Sequence, residues 1–103
     1  MIYKLIITDL AYADIEDIFQ FGIETFGELV TEKFIDKLND KIIAIKEMPG
    51  RGQLNEFLPK GLRFLKVDNH YIIYEYSDSL KLIRILRIVH QHMDLSSIPL
   101  KDN

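Results

Sequence analysis

The C-terminal half of the chain concentrates side chains that can exchange protons or bind an anion. His90 and His92 are two positions apart, so on a β-strand their imidazoles lie on the same face. Imidazole transfers protons near neutral pH, and basic and aromatic side chains bind RNA phosphates and bases. The accompanying residues are Arg63, Lys66, Arg84, Arg87, Tyr71, Tyr74 and Tyr76. This set could clamp RNA and supply a general acid or base, or it could equally form a basic rim that docks on a protein.

Each member of the set also has a structural interpretation. An arginine at a sheet edge can pair with an acidic helix residue, and a tyrosine can be half-buried packing. The spacing of His90 and His92 would suit a metal ion, but no carboxylate stands at a motif-like distance on the same element. Glycine-rich phosphate loops, Gly-x-Ser-x-Gly elbows and His-Glu-x-x-His motifs do not occur. We therefore predict neither a metal nor a cofactor.

Composition and charge narrow the class of protein. The 103 residues are 48% apolar and 28% charged, which suits one globular domain and excludes a second. Cysteine is absent, which excludes thiolate sites and disulfides and fits a cytoplasmic location. No apolar run approaches the roughly 20 residues that span a bilayer, so we expect no membrane association. Residues 1–47 carry 10 acidic and 5 basic side chains, so the basic set of the C-terminal half accompanies an acidic N-terminal half.

Hydrophobic periodicity predicts the elements that position these side chains. An apolar run over 2–8 predicts a strand, and helical spacing then predicts one helix capped by Asp9 and a second that ends at Pro49. Thr25 and Glu28 have capping-box spacing for the start of the second helix. A loop over 50–61 precedes three β-prone runs at 62–67, 70–76 and 82–90.

The predicted fold is a single α+β domain of order β-α-α-β-β-β. An antiparallel helix hairpin packs on one face of a four-stranded, mainly antiparallel sheet. We place this domain at 1–95 and a C-terminal tail at 96–103. Two helices about 10 Å wide cover only one face of such a sheet, and strict alternation makes both faces apolar. Either the tail or a partner protein must therefore cover the second face.

Several segments then occur in a recognisable order. They are Ala13-Asp14-Ile15 with Ile18, Pro49 and Gly52, Gly61-Leu62-Arg63, Tyr71-Ile72-Ile73-Tyr74, Ile85-Leu86-Arg87-Ile88-Val89-His90, and the final His90-Gln91-His92-Met93-Asp94-Leu95. In this order and spacing the chain resembles the RelE/ParE superfamily of bacterial type II toxin–antitoxin toxins over nearly its whole length. The final segment resembles the ParE branch most, although that branch typically has arginine where His92 stands.

The resemblance implies the fold predicted above and two alternative activities. ParE-like toxins poison DNA gyrase by protein–protein contact, whereas RelE-like toxins cleave mRNA on the ribosome. An inactive member that serves as a binding module is a third alternative. A cognate antitoxin is implied as a partner, wrapping the toxin by strand addition and helix-in-groove contacts. We expect either a homodimer or a toxin–antitoxin hetero-oligomer.

Site residues follow from the same resemblance. Under the gyrase reading there is no catalytic residue, and the target-binding surface comprises Arg63, Lys66, Arg84, Arg87, His90, His92, Met93 and Asp94. Under the ribonuclease reading, His90 and His92 supply the acid and base, and Arg63 and Arg87 hold the phosphate. An antitoxin would cover the second apolar face through Ile72, Tyr74, Leu82, Leu86 and Ile88.

Overall fold

The computed structural model describes residues 2–100, so residue 1 of the predicted domain and residues 101–103 of the predicted tail lie outside it. In chain order the elements are β1 (Lys4–Ile7), α1 (Asp9–Phe26), α2 (Glu28–Glu47), β2 (Gln53–Leu54), β3 (Arg63–Val67), β4 (His70–Ser77) and β5 (Leu82–His90). Single 3-10 turns occur at Pro49–Arg51 and Leu95–Ser97. The predicted fold class is confirmed: a helix hairpin packs on a mixed sheet.

The sheet has five strands in the order β1-β5-β4-β3-β2, one more than predicted. The additional strand is β2, which lies in the predicted loop and pairs with Arg63 and Phe64 at the start of β3. All neighbouring pairs are antiparallel except β1 and β5, which run parallel. The first strand therefore pairs with the last one.

The helix ends differ from the prediction in two places. Thr8, not Asp9, caps α1, because its side chain accepts a hydrogen bond from the amide of Ala11 at 3.2 Å. The predicted capping box of Thr25 and Glu28 is also wrong. Gly27 alone separates the helices with a φ of 89°, a left-handed conformation that glycine adopts without steric cost, so Thr25 stays inside α1.

The two helices approach each other closely at one point. A Cβ atom at Gly22 would lie 2.6 Å from Oγ1 of Thr31, so only glycine fits opposite this buried threonine. The Thr31 hydroxyl donates a hydrogen bond to the carbonyl of Gly27 at 2.8 Å, which satisfies it inside the contact. This contact sets the distance between the helices and hence the width of the surface they form.

A β-bulge in β5 overturns the predicted face assignment. Ile73 pairs with Arg87 and Tyr74 pairs with Ile85, so Leu86 has no partner in the ladder. A bulge of this kind interrupts alternation by one residue. Leu86 therefore packs on the face away from the helices, whereas Ile88 packs beneath them, and their predicted common face is wrong.

The chain itself covers the second apolar face. Leu58 and Leu62, from the segment before β3, and Ile98, from the C-terminal segment, are buried against this face. The sheet contributes Ile73, Leu86 and Val89 to the same cluster. The sequence left open whether the C-terminal tail or a partner protein covers this face. In the structure the C-terminal residues cover it together with residues 58–62. Residues 96–100 accordingly pack on the domain.

Candidate functional site

The predicted site residues lie in three separate places. His90, His92, Met93 and Asp94 lie at and just beyond the end of β5, and Arg63 lies at the start of β3, at the opposite end of the sheet. Four strand positions separate the ends, a distance of about 13 Å along the strands. The second face presents Lys66 and Arg84, both exposed. The four residues of the ribonuclease reading are therefore not brought together.

Three histidines form a cluster at the end of β5. His70 stands directly opposite His90 in the ladder, with ring centroids 5.3 Å apart, and the rings of His90 and His92 are 4.9 Å apart. The backbone amide of His92 donates a hydrogen bond to Nδ1 of His90 at 3.2 Å. His90 and His92 are exposed, so their outer edges can reach a partner molecule.

His70 was not among the predicted site residues. Its position as the first residue of β4, opposite the last residue of β5, is the signal that could have identified it. Burial, and secondly the neighbouring His90, lower the pKa of His70 below its ordinary value. Nδ1 of His70 is buried, and residues 2–100 offer it no hydrogen-bond partner. The cluster thus pairs one partly buried imidazole that favours the neutral form with two exposed ones.

Met93 and Asp94 are exposed and follow shortly after the last residue of β5. The Asp94 carboxylate caps the 3-10 turn by accepting hydrogen bonds from the hydroxyl and the amide of Ser96, at 2.7 and 3.0 Å. These bonds, together with one from Ser97, lower the pKa of Asp94. The side chain of Met93 is 47% exposed. His90, His92 and Met93 therefore form a small exposed surface at this end, here called the histidine end.

Arg63 fixes a turn of the backbone. Its Nη1 donates to the carbonyl of Gly52 at 2.8 Å and to that of Gly50 at 3.3 Å. The Tyr74 hydroxyl fixes the same turn from below, donating to the carbonyl of Pro49 at 2.6 Å and accepting from the amide of Gly52 at 2.8 Å. Burial raises the pKa of Tyr74, which keeps the hydroxyl a donor. The guanidinium of Arg63 is thus already hydrogen-bonded within the chain.

Arg87 joins three distant segments. Its Nε and Nη2 donate to the two oxygens of Asp14 at 2.8 and 2.9 Å, and Nη1 donates to the carbonyl of Pro99 at 2.6 Å. Asp14 also accepts a hydrogen bond from the backbone amide of Ile88 at 2.8 Å. Ile88 lies in the part of β5 that does not pair with β1. Arg87 therefore ties α1, the sheet and the C-terminal segment together, and its side chain is only 14% exposed.

The residues assigned to the antitoxin are largely buried. Tyr74, Ile72 and Ile88 belong to the core under the helices, and Leu86 belongs to the cluster on the second face. Leu82 is half-buried. Apart from Leu82, these side chains are not available on the surface of the folded chain, because the helices and the segments on the second face already cover them.

Within residues 2–100 no group of histidine, cysteine or carboxylate side chains has a metal-binding arrangement. No helix in the same range combines the length and apolarity that crossing a bilayer requires.

Comparison with known proteins identifies the family. Residues 5–95 match the family described as the ParE toxin of the type II toxin–antitoxin system parDE. Toxin ParE1 of Caulobacter vibrioides is 31% identical over 84 residues, which is 82% of this chain and 84% of that protein.

Solved structures share the fold. The chromosomal ParDE toxin–antitoxin system of P. aeruginosa aligns with a TM-score of 0.74 at 22% identity, covering 86% of this chain and 96% of that one. The toxin–antitoxin complex RelBE2 of Mycobacterium tuberculosis aligns with a TM-score of 0.60 at 15% identity, covering 87% and 99% of the two chains. The resemblance to the RelE/ParE superfamily is confirmed, and the chain belongs to the ParE family of type II toxin–antitoxin toxins.

Proposed function

We propose that the chain is a cytoplasmic ParE-type toxin that inhibits DNA gyrase by protein–protein contact and is neutralised by an antitoxin. The observation that carries the choice between gyrase and RNA is the position of the arginines. Phosphate transfer in RNA requires an acid, a base and free cations around one phosphate. Arg63 holds the 49–52 turn at the opposite end of the sheet, and Arg87, three residues before His90, is already bonded to Asp14. This arrangement supports a binding surface over a catalytic centre.

The histidine end has the composition of a protein-binding surface. Two imidazole edges and one exposed methionine side chain occur within four residues at the end of β5, where the amide of Met93 donates a hydrogen bond to the carbonyl of His90 at 2.9 Å and closes a turn. Aromatic side chains and methionine are enriched in the buried centres of protein interfaces. Because the turn is already ordered, binding there loses little conformational entropy.

The antitoxin is proposed from the relatives and from the sheet edges. The P. aeruginosa and M. tuberculosis structures are described as a toxin–antitoxin system and a toxin–antitoxin complex. In the present chain β1 and β2 are the outer strands of the sheet, and β2 is only two residues long and exposed. Unpaired strand edges accept an added strand from a partner. Strand addition at an edge avoids the buried side chains that the sequence had assigned to the antitoxin.

A gyrase assay with a matched pair of variants tests the target. Purified gyrase, relaxed or supercoiled plasmid and ATP are incubated with the chain, and loss of supercoiling and gyrase-linked DNA breaks are scored. We expect inhibition by the natural chain and a requirement for about tenfold more of the His92→Ala, Met93→Ala variant. The control, Lys33→Ala on the outer side of α2, should inhibit like the natural chain. Absence of any effect from folded protein would refute gyrase as the target.

A ribosome-dependent ribonuclease is the second candidate, favoured by the 4.9 Å separation of the His90 and His92 rings. It predicts cleavage of mRNA only during translation, abolished in a His90→Ala, His92→Ala variant. Translation-dependent cleavage combined with an inactive result in the gyrase assay would establish this candidate instead. An inactive result in both assays would leave the chain as a non-toxic binding module.

A further inference from the structure

Three successive backbone amides hold the segment just after β5. Those of Gln91 and Met93 donate to carbonyl oxygens, that of Asn69 at 2.7 Å and that of His90 at 2.9 Å. The amide between them, that of His92, donates instead to Nδ1 of the His90 imidazole at 3.2 Å. A carbonyl oxygen accepts a hydrogen bond at any pH, whereas an imidazole nitrogen accepts one only while it carries no proton. The shape of the histidine end therefore depends on a group that titrates.

The hydrogen bond from His92 also fixes the tautomer of His90. Because Nδ1 is the acceptor, the neutral ring carries its proton on Nε2. Protonation of the ring adds a proton to Nδ1, so that two N–H groups would face each other across 3.2 Å. The ring must then turn away from the amide of His92. The present contact between the two rings, with centroids 4.9 Å apart, would be lost in the same movement.

His70 supports the ring of His90 from the neighbouring strand. The centroids of these two rings are 5.3 Å apart, and His70 packs on its other side against Phe34 of α2 at 5.1 Å. Burial is the first cause that lowers the pKa of His70, so this ring stays neutral as the pH falls through the ordinary range of histidine. The ring of His90 thus lies against a side chain that keeps its own protonation state over that range.

No carboxylate is in place to hold a charged imidazole. The charged groups nearest to these contacts along each packed element are Lys37, Asp68, Asp14, Asp17, Arg87 and Asp94. Lys37 pairs with Asp68 at 3.3 Å, and Arg87 pairs with Asp14 at 2.8 Å. Asp94 accepts the hydroxyl of Ser96, and Asp17 is exposed. In the part of the chain that the structure describes, no carboxylate forms an ion pair with a histidine.

We propose that the histidine end is a proton-controlled binding surface, which binds its target only while the imidazole of His90 is neutral. A proton taken up from water onto Nδ1 of His90 releases the amide of His92 and turns the ring. The two imidazole edges and Met93 then no longer form one surface, so acidification weakens target binding. The statement about the target rests on the proposed function, whereas the change of shape concerns the chain alone.

Nuclear magnetic resonance of the chain alone tests the change of shape. Two-bond proton–nitrogen spectra assign the tautomer, and we expect neutral His90 to carry its proton on Nε2. The amide signals of His92 and Met93 should shift with the same midpoint as the ring of His90. A neutral His90 with its proton on Nδ1 would overturn the proposal.

Two matched variants identify the responsible ring. His90→Asn places an amide oxygen where Nδ1 stands, and this oxygen accepts the hydrogen bond at every pH. The amide shift with the midpoint of His90 should therefore vanish in this variant. The control, His92→Asn, removes the neighbouring exposed imidazole and leaves the acceptor, so its Met93 amide should still shift. Amide shifts that persist in His90→Asn with an unchanged midpoint would overturn the proposal.

Binding to purified gyrase tests the consequence for the target. The chain is labelled and its binding is followed by fluorescence anisotropy at pH 8 and at one pH unit below the midpoint measured for His90. About one-tenth of the rings are neutral at the lower pH, so the apparent Kd of the natural chain should rise about tenfold. For His90→Asn the two Kd values should agree within about twofold, whatever the absolute affinity, and His92→Asn should keep the rise of about tenfold. Groups that titrate on gyrase affect all three chains equally.

The two measurements can fail separately. Far-ultraviolet circular dichroism at both pH values confirms that each chain is folded. Absence of gyrase binding by all three chains at pH 8 would refute gyrase as the target, and the tautomer and amide shifts would still decide whether the histidine end changes shape. Binding at pH 8 with the same pH dependence in the natural chain and in His90→Asn would refute proton control and leave gyrase as the target.

Discussion

Replacing Asp14 with alanine should strongly destabilise the fold, because Asp14 links α1 to β5. The change deletes three hydrogen bonds at once, two from Arg87 and one from the amide of Ile88, all between 2.8 and 2.9 Å. Loss of one partner from a buried ion pair costs about 3–5 kcal/mol, because the remaining charge is left unpaired. The two side chains are each 14% exposed, so water offsets part of that penalty and we expect about 3 kcal/mol.

Urea unfolding followed by circular dichroism measures this loss. With an m-value of about 1.5 kcal/mol/M, a loss of about 3 kcal/mol lowers the midpoint by about 2 M. Asp14→Asn keeps one acceptor oxygen and should lose about half as much. In a double-mutant cycle with Arg87→Ala, the second change should cost much less than it does alone, because the two residues interact directly.

The control for this prediction is Glu75, the acidic partner of Arg84. Arg84 and Glu75 lie 3.5 Å apart on a part of the second face that the chain does not cover, with side chains 46% and 35% exposed. Exposed pairs contribute about 0–1 kcal/mol, so Glu75→Ala should move the midpoint by only a few tenths of a molar unit of urea, about 0.3 M. An Asp14→Ala midpoint indistinguishable from that of Glu75→Ala would refute the assignment of Asp14 as the link between α1 and β5.

Three further outcomes are expected. Tyr74→Phe removes both hydrogen bonds to the 49–52 turn and should cost about 1–3 kcal/mol in urea unfolding, while a hydroxyl with no role would cost nothing measurable. Gly22→Ala should cost about 1–3 kcal/mol because its Cβ would lie 2.6 Å from Thr31, and the added change Thr31→Ala should restore part of the loss. The pKa of His70 is lowered in the folded chain. The stability that neutral His70 contributes is therefore complete above its ordinary pKa of 6.5 and is lost as the pH falls through the folded pKa. The urea midpoint measured across this pH range should depend less on pH in the His70→Gln variant.

The sequence was sufficient to predict the helices and the long strands. It was insufficient to predict which face each side chain of the second half of β5 lies on. Periodicity predicted the helix hairpin and the three long antiparallel strands, because each has a long apolar pattern. It failed after Ile85, since a bulge shifts alternation by one residue and no residue type marks it. Leu86 and Ile88 were consequently placed on one face although they lie on opposite faces.

The candidate site residues were predicted from their residue types, and this reasoning did not find the residues that they contact in the fold. Arg63 and Arg87 were predicted to bind a target or a phosphate, and the hydrogen-bond partners that they have within the chain cannot be found by spacing. The turn that Arg63 holds starts 13 residues away, and Asp14 is 73 residues from Arg87. An arginine that binds within its own fold and one that binds a target have the same local sequence. Only the three-dimensional position of Asp14 separates the two roles.

The parallel pairing of β1 with β5 governs when the chain can fold during its synthesis. β1 and α1 both pack on the last strand, so after the helix hairpin is complete at Glu47 they still lack that strand until residue 90 has been made. At about 5–20 residues per second the ribosome needs roughly 2 to 9 s for that interval. During this time the apolar face of α1 lacks its native partner strand. A chain that ends before β5 therefore has neither the Asp14–Arg87 link nor the histidine end, and any activity that needs them begins only after residue 93 has been made.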